Sequence, residues 1–360
     1  MPDRSPSSEG GGAAALAVDG GNSKTHVALL GRDGSLVGFA RSDGTSHEWL
    51  GLEGSIAALD RVIAAAADPV RLPDGGPVPQ VGVFCLAGID LPVDDRVVGE
   101  AIRQRHWVLE PAVLNDAFAV LRAGTERTWG IAVVCGAGMN CVAVSPRGET
   151  VRFPALGEVS GDLAAGGHWI GTRALGMAMR ALDGRGERTM LEELVPAHFG
   201  LESPLAVIEA LRVGDLDEGM LTQLSPVAFD AAAGGDRVAI DLLDQVAAEI
   251  VVMVRAALER LGMLALDTHV VLGGGVFRSE AGWFVDRISD AIEDLSPGAS
   301  VKVLDAPPIA GAALLALDRL GAGEESRRRI REQLTAERIA ATPRTPAPRE
   351  PAATVTRAPA

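Results

Sequence analysis

Residues 18–30, Val-Asp-Gly-Gly-Asn-Ser-Lys-Thr-His-Val-Ala-Leu-Leu, place an acid, two glycines, a lysine and a threonine between two apolar runs. The residues after Lys24 and Thr25 are β-branched and apolar, whereas the phosphate loop of P-loop NTPases continues into a helix. The stretch therefore predicts a β-hairpin with a tight elbow. Glycines in such an elbow let backbone N–H groups approach an anion closely. The alternative is a plain turn in which Gly and Asn only supply positive φ angles.

Two neighbours of the glycines favour the anion-binding interpretation. Lys24 is one of only two lysines in a chain that otherwise uses arginine, and a compact ammonium group suits a phosphate. Asp19 stands at the end of the first strand, where its carboxylate can hold Mg²⁺ through water.

Length and charge limit the possible functions. The chain has 360 residues, 47% of them hydrophobic, which is enough for about two domains. Its formal charge of −15 argues against a nucleic-acid or membrane partner. No secretory signal or unbroken apolar span is evident, so we expect a cytoplasmic protein with a small-molecule ligand. The three cysteines lack a Cys-x-x-Cys spacing and are typical of buried, reduced thiols.

Apolar β-branched runs alternate with helical patterns along the chain, which predicts the α/β class. The layout strand, glycine elbow, strand, turn occurs near residue 15 and again near residue 131, so each copy is expected to open one domain. We expect a disordered segment 1–13, domains 14–122 and 123–320, and an Arg- and Pro-rich, largely disordered tail 321–360. The last helix, 309–320, could pack back on the first domain.

Four further positions are candidates for chemistry. Gly136-Ala137-Gly138 forms a second elbow between strands, and Gly273-Gly274-Gly275 follows a strand and precedes a helix. Asp116 lies between a strand and a helix, where position alone favours a helix N-cap over a catalytic acid. Asp162 in Ser-Gly-Asp-Leu could bind a ligand or bond its own backbone.

Together these motifs resemble those of the BadF/BadG/BcrA/BcrD-type ATPases and N-acetylglucosamine kinases, within the actin-like ATPase superfamily. The resemblance covers roughly residues 14–320 and rests on five segments: Asp19-Gly20-Gly21-Asn22-Ser23-Lys24-Thr25, Leu114-Asn115-Asp116-Ala117, Gly136-Ala137-Gly138-Met139-Asn140-Cys141, Gly161-Asp162 and Gly273-Gly274-Gly275. It implies two ribonuclease-H-like domains with a cleft between them, which close around ATP and a sugar. It also implies a homodimer.

The resemblance implies a role for each matching residue. Asp116 would be the catalytic base, and Asp19 would hold Mg²⁺. ATP would be bound by Gly20, Gly21, Asn22, Ser23, Lys24, Thr25, Gly136, Ala137, Gly138, Gly273, Gly274 and Gly275. The sugar would be bound by Asn115, Asp116, Asp162 and by Thr45, Ser46 and His47, which stand where family kinases carry a Ser-Thr-Asn-His-Trp-like segment. Without the resemblance, 43–49 would be an unremarkable loop.

The chain departs from the family pattern at two places. Ala137 and Met139 replace the two hydroxyl residues usual in the second elbow, so anion contacts there must come from backbone N–H groups. Leu163 to Gly167 replaces a Glu-Gly-Ser run after Gly161-Asp162. We therefore expect an ATP-dependent kinase acting on the 6-hydroxyl of an amino sugar, with N-acetylglucosamine the first candidate. The alternatives are a kinase for glucosamine or another hexose, an activator of an iron-sulfur dehydratase or reductase, and a non-catalytic sugar sensor.

Overall fold

The computed structural model describes residues 12–68, 78–278 and 282–345. The strands are β1 (Ala15–Gly20), β2 (Lys24–Leu30), β3 (Leu36–Asp43), β4 (Val81–Leu86), β5 (Glu110–Asn115), β6 (Gly130–Cys135), β7 (Met139–Val144), β8 (Thr150–Arg152), β9 (His269–Gly273) and β10 (Ser300–Val303). The helices are α1 (His47–Ala67), α2 (Pro92–Arg105), α3 (Ala117–Gly124), α4 (Gly167–Leu182), α5 (Leu191–His198), α6 (Pro204–Val213), α7 (Leu224–Ala233), α8 (Arg237–Arg260), α9 (Gly282–Leu295), α10 (Pro308–Arg319), α11 (Glu324–Gln333) and α12 (Ala336–Ala341).

The described residues fall into two compact units. Unit 1 comprises the residues up to Ala119 together with those from Ala306 onward, and unit 2 comprises Val120–Asp305. Unit 2 ends at Asp305 and not at the expected boundary of 320. Helix α10 packs on β1 and β4 of unit 1, which is the alternative that the sequence left open for residues 309–320. The expected disordered segment 1–13 lies outside the described residues except for its last two.

Unit 1 is built on a five-stranded sheet of order β3-β2-β1-β4-β5. The predicted hairpin is present, with β1 and β2 antiparallel and Gly20 opposite Thr25. Strands β4 and β5 run parallel to β1. Since β3 is antiparallel to β2, strands β1, β3, β4 and β5 all end at the same edge of the sheet. The loops that follow these four strands are therefore neighbours, and the elbow lies among them.

Both faces of this sheet are covered. On one face, Leu16, Val18 and Phe84 pack with the buried side of α1 and α2. On the other, Ala17, Val83 and Cys85 pack with α10. The same second core contains Ile330, Leu334 and Ile339.

Residues 324–345 correct the expectation of a largely disordered tail. Helices α11 and α12 form there, and Ile330 is fully buried while Leu334 and Ile339 are nearly so. The sequence pattern concealed this packing because α11 is almost entirely polar or charged. Ile330 is the one apolar residue of this helix, and it packs into the core. The Pro-rich remainder of the tail, 346–360, lies outside the described residues.

Unit 2 repeats the strand arrangement of unit 1. Its sheet has the order β10-β9-β6-β7-β8, with β6 and β7 antiparallel and β9 parallel to β6. A single core joins this sheet to α4, α7, α8 and α9. The α/β class and the two ribonuclease-H-like units predicted from the sequence are thus confirmed. Among the described residues, no helix combines the length and apolar character needed to cross a membrane.

Candidate active site

The first elbow, residues 20–24, is closed by its own backbone and exposes its tip. The Gly21 N–H donates to the Lys24 carbonyl at 2.9 Å, and Asn22, Ser23 and Lys24 are exposed. A Cβ on Gly20 would lie 2.7 Å from the Leu86 side chain, so a larger residue there would require Leu86 to move. The elbow therefore offers backbone groups and the Lys24 ammonium to a ligand without a side chain in front of them.

The segment 43–49, called the sugar loop below, packs directly on this elbow. The Thr45 N–H donates to the Gly21 carbonyl at 3.2 Å, and the hydroxyls of Thr45 and Thr25 lie 2.9 Å apart. Both threonines are buried. Thr25 and Thr45, predicted to contact ATP and sugar, thus also connect the two loops that would bind them.

The other two predicted sugar ligands of this loop, Ser46 and His47, differ in exposure and in internal hydrogen bonding. Ser46 is buried and its hydroxyl accepts a hydrogen bond from the Glu48 N–H, so it acts as the N-cap of α1. His47 keeps partial exposure, and its Nε2 lies 3.9 Å from the Asp94 carboxylate. Of Thr45, Ser46 and His47, only the His47 side chain is placed to reach a ligand without giving up an internal hydrogen bond.

Gly44 makes the packing of the sugar loop on the elbow testable. A Cβ at this position would lie 2.0 Å from the Asn22 carbonyl oxygen, a clash with backbone that cannot be relieved by a side-chain rotation. We expect Gly44→Ala to displace the sugar loop, lower the melting temperature and raise the KM for the acceptor.

The matched control is Gly99→Ala in α2, where the new Cβ would meet only the end of Arg103 at 3.5 Å. That change is expected to leave turnover unchanged and to stabilise slightly, since Ala is the better helix former. Thermal unfolding and steady-state kinetics of both variants check this. Equal acceptor KM values for the two would contradict the packing argument.

Asp116 follows β5 at the same edge. Its N–H donates to the Leu86 carbonyl at 3.2 Å, which links the ends of β4 and β5. The neighbouring Asn115 is buried, and its Oδ1 accepts the Ala117 N–H at 2.9 Å while its Nδ2 donates to Asp90 at 2.8 Å. Because Asn115 already satisfies the first N–H of α3, the start of this helix does not depend on Asp116 alone. Asn115 itself has its side-chain oxygen and one N–H committed to the protein.

The electrostatics of Asp116 suit a proton acceptor. Burial raises the pKa of its carboxyl to about 7, and the negative charges of Asp19 and then Glu48 act in the same direction. Hydrogen bonds from the backbone N–H groups of Ala117 and Asp116 itself oppose the shift. A group with a pKa near neutrality can take up a proton and release it again in each catalytic cycle.

Asp19 lies close to Asp116 at the end of β1. It is buried, and its Oδ2 lies 3.4 Å from Nδ1 of His26 on β2. The pKa of the Cys85 thiol on β4 is raised by burial and then by the charges of Asp19 and Asp116, which shows that these three side chains are neighbours. No group of three or more His, Cys, Asp or Glu side chains able to enclose a metal occurs among the residues in the described ranges. The Asp19 carboxylate, beside an elbow with an exposed backbone, would suit Mg²⁺, which keeps several waters and is completed by phosphates.

Sequence reasoning missed the residues that hold this edge together. Asp90 accepts a hydrogen bond from the Asn115 amide. Asp94 provides the cap, accepting the N–H groups of Asp90 and Leu91 at 3.2 and 2.8 Å. The sequence signal for Asp94 was its place in the first turn of a helix that begins at proline. No local signal pointed to the pairing of Asp90 with a residue 25 positions away.

In unit 2, the second elbow lies against the start of α4. The Gly167 N–H donates to the Gly136 carbonyl at 2.7 Å and the His168 N–H to the Ala137 carbonyl at 3.0 Å. A Cβ on Gly166 would lie 2.2 Å from the Gly138 carbonyl oxygen. Ala137 and Gly138 are exposed, whereas Met139 points into the core. Backbone groups are therefore what this elbow offers to a ligand.

The glycine triplet lies beside the second elbow, since Gly273 is the last residue of β9 and β9 pairs with β6. Gly274 has a φ of +105°, and a Cβ there would lie 2.2 Å from the Cys135 carbonyl oxygen. Gly275 is exposed with open space around its Cα. Both predicted nucleotide segments of unit 2 are thus brought to one edge of its sheet.

Asp162 lies in the loop between β8 and α4 and is buried. Its Oδ2 accepts the Ser160 hydroxyl at 3.0 Å, and its N–H donates to the Gly157 carbonyl at 3.2 Å. A second carboxylate, Glu249 on α8, is close by: burial raises its pKa, the Leu163 N–H lowers it, and the charge of Asp162 raises it further. Sequence reasoning missed Glu249, because one acid on a long amphipathic helix carries no signal of its own.

The family model of the BadF/BadG/BcrA/BcrD ATPase family matches residues 16–316. An N-acetyl-D-glucosamine kinase of Dictyostelium discoideum is 26% identical over 320 residues, covering 84% of this chain and 97% of that protein. An N-acetylmuramic acid/N-acetylglucosamine kinase of Clostridium acetobutylicum is 26% identical over 266 residues, covering 73% and 85%.

A solved structure supports the fold. A proposed N-acetylglucosamine kinase from Chromobacterium violaceum superposes with a TM-score of 0.64 at 23% identity, over 84% of this chain and 98% of that one. The match of the family model over most of the chain agrees with the segments quoted from the sequence. The chain therefore belongs to the BadF/BadG/BcrA/BcrD ATPase family.

Proposed function

We propose that this protein is an ATP-dependent sugar kinase that transfers the γ-phosphate to the 6-hydroxyl of an amino sugar, with N-acetylglucosamine as the first candidate. The chain is a phosphotransferase with an alcohol acceptor, as its curated relatives are sugar kinases. The observation that carries the proposal is Asp116. Its carboxyl has a pKa of about 7 and lies beside Asp19, at the sheet edge that also carries the first elbow and the sugar loop.

The proposed reaction needs one proton acceptor and several anion-binding groups. The sugar oxygen forms a bond to the γ-phosphorus while the bond from that phosphorus to the bridging oxygen breaks, and ADP leaves with the bonding electrons. Asp116 takes the proton that the hydroxyl loses. The N–H groups of the first elbow and Lys24 bind phosphate oxygens, and the backbone groups of the second elbow do so in unit 2.

A bound Mg²⁺ would neutralise part of the negative charge on the transferred phosphoryl group. Asp19 would hold it, through water, and His26 keeps the Asp19 carboxylate in place. In unit 1 the sugar would be recognised by His47, with Thr45 and Ser46 shaping the loop from within. The homodimer implied by the resemblance remains part of the proposal, and light scattering in solution tests it.

A substrate screen tests the function. The protein is incubated with ATP and Mg²⁺ and with N-acetylglucosamine, glucosamine, N-acetylmannosamine, N-acetylmuramic acid or glucose, and ADP release is followed. We expect turnover to be highest with N-acetylglucosamine, and a 6-deoxy analogue to give none. Phosphate found by NMR on a different hydroxyl would contradict the regiochemistry, and no sugar-stimulated turnover would contradict the kinase assignment.

The alternative of an iron-sulfur activator is not favoured by the cysteines. All three lie in strands and are buried. Burial raises the pKa values of Cys135 and Cys141 to about 12, whereas cluster ligation uses thiolates. A purified protein that contains iron in the amount of one cluster per dimer would reverse this preference.

A further inference from the structure

Residues 324–345, called the strap below, follow β3 from one end to the other. The Leu36 N–H donates to the Gln333 side chain at 2.9 Å, and the Thr345 N–H donates to the Arg41 carbonyl at 2.7 Å. Arg344 forms an ion pair with Asp43 at 2.9 Å. Strand β3 is the last in the order of its sheet, so the strap occupies an edge that would otherwise present unpaired backbone groups.

The beginning of the strap is anchored on the turn between β2 and β3. The Ser326 hydroxyl donates to the Arg32 carbonyl at 3.3 Å, and Arg329 pairs with Asp33. A Cβ on Gly34, which has a φ of +78°, would lie 2.0 Å from the Ser326 carbonyl oxygen. With Ile330 and Leu334 buried in the sheet core, this part of the strap has a fixed place.

The far end of the strap reaches the residue that opens the sugar loop. Asp43 is the last residue of β3 and lies opposite Lys24 of the first elbow. One residue later, Gly44 packs on Asn22. The last described contacts of the strap, at Arg41 and Asp43, therefore act where the backbone leaves the sheet to form the sugar loop.

We infer that Arg344 and Thr345 position the sugar loop, so that docking of the strap end and acceptor binding favour each other. This inference rests on the proposed sugar kinase function. The Arg344–Asp43 pair is more than half exposed on both sides, and an exposed ion pair contributes little by itself. The main-chain hydrogen bond from Thr345 fixes the strap end against β3, because it extends the sheet pairing to Arg41, two residues before the loop. Coupling between two such sites is reciprocal.

Three variants distinguish the effect of the strap end from the effect of the rest of the tail. One stops after Thr345, one stops after Thr342 and so lacks both contacts, and the third is full-length with Arg344→Ala. Loss of one net hydrogen bond changes an equilibrium by about 3- to 10-fold. We expect the chain ending at Thr342 to have an acceptor KM raised by about that factor, with the KM for ATP within about two-fold. The Arg344→Ala effect should be smaller, and the chain ending at Thr345 should match the full length.

Hydrogen exchange of the ligand-free chains gives a readout that does not depend on the function. Amides 43–50 should exchange faster in the chain ending at Thr342 than in the chain ending at Thr345, while amides of β6 and β7 serve as the internal control. Equal exchange at 43–50 overturns the inference. If exchange differs but no sugar is turned over by the full-length protein, the positioning stands and the proposed function fails. If exchange differs and acceptor KM values are equal, the coupling to acceptor binding fails.

Discussion

Replacing Asp116 with asparagine is expected to lower kcat by about 10²- to 10⁴-fold with little change in acceptor affinity. Asparagine keeps the size of the side chain and an oxygen acceptor but cannot take the proton of the attacking hydroxyl. Asp215→Asn, an exposed change in unit 2, is the control for removing one acid. Steady-state kinetics with the best acceptor check the result. Turnover of Asp116→Asn within a few-fold of the parent would contradict the base assignment and shift attention to Asp162.

The pH dependence has a predicted sign. Since the base must be ionised, kcat/KM should rise with pH through an inflection near 7, the pKa of Asp116.

The raised pKa of Asp116 also lowers the stability of the folded protein. The unfolded carboxyl ionises near its ordinary value of about 4, so stability falls as the pH rises from about 4 to about 7 and the full cost applies above 7. Asp116→Asn removes this cost and should melt at the same or a higher temperature than the parent at pH 8. A lower melting temperature at pH 8, with normal turnover, would mark Asp116 as structural.

Ending the chain at Gly323 is expected to lower the melting temperature by at least about 10 °C or to prevent folding. The deletion exposes the core side of α10 and removes Ile330, Leu334 and Ile339, which are almost fully buried. Each such side chain contributes up to about 1.5–3 kcal/mol on burial, while whole proteins are stable by only about 5–15 kcal/mol.

The chain ending at Thr345 is the control for that deletion, because it keeps both strap helices and removes only the Pro-rich remainder. Circular dichroism and calorimetric melting of the two chains are compared at equal concentration. A melting temperature within about 2 °C of the full-length value after truncation at Gly323 would show that the strap is not part of the core of unit 1.

The sequence allowed the first hairpin, both elbows and the glycine triplet to be placed because their signals are local. Glycine at a turn and alternation of apolar residues in a strand act over a few residues, and they recur at residues 15 and 131 in the same order. Helix α10 was also visible as a pattern. Its packing on the first domain was an open alternative from the sequence, since this packing depends on contacts with β1 and β4, which lie far earlier in the chain.

Other features depend on tertiary contacts that leave no local pattern. Ile330 is the only buried residue of α11, a helix with seven charged side chains among ten residues, so composition favours disorder there. The pairing of Asp90 with Asn115 and the approach of Glu249 to Asp162 join residues far apart in the chain. The roles assigned to individual site residues came from the family resemblance and remain predictions.

The division of unit 1 between the two ends of the chain has a consequence for synthesis on the ribosome. The sheet of β1 to β5 is complete once Asn115 has emerged, but the helix that covers one of its faces begins only at Pro308. At about 5–20 residues per second, roughly 190 residues of translation take on the order of 10–40 s. Unit 2 can fold during this interval. One apolar face of the nascent unit 1 sheet remains exposed until α10 has been synthesised. We expect chaperones that recognise exposed apolar surface to bind ribosome-attached chains of intermediate length, and to be released once α10 has packed on the sheet.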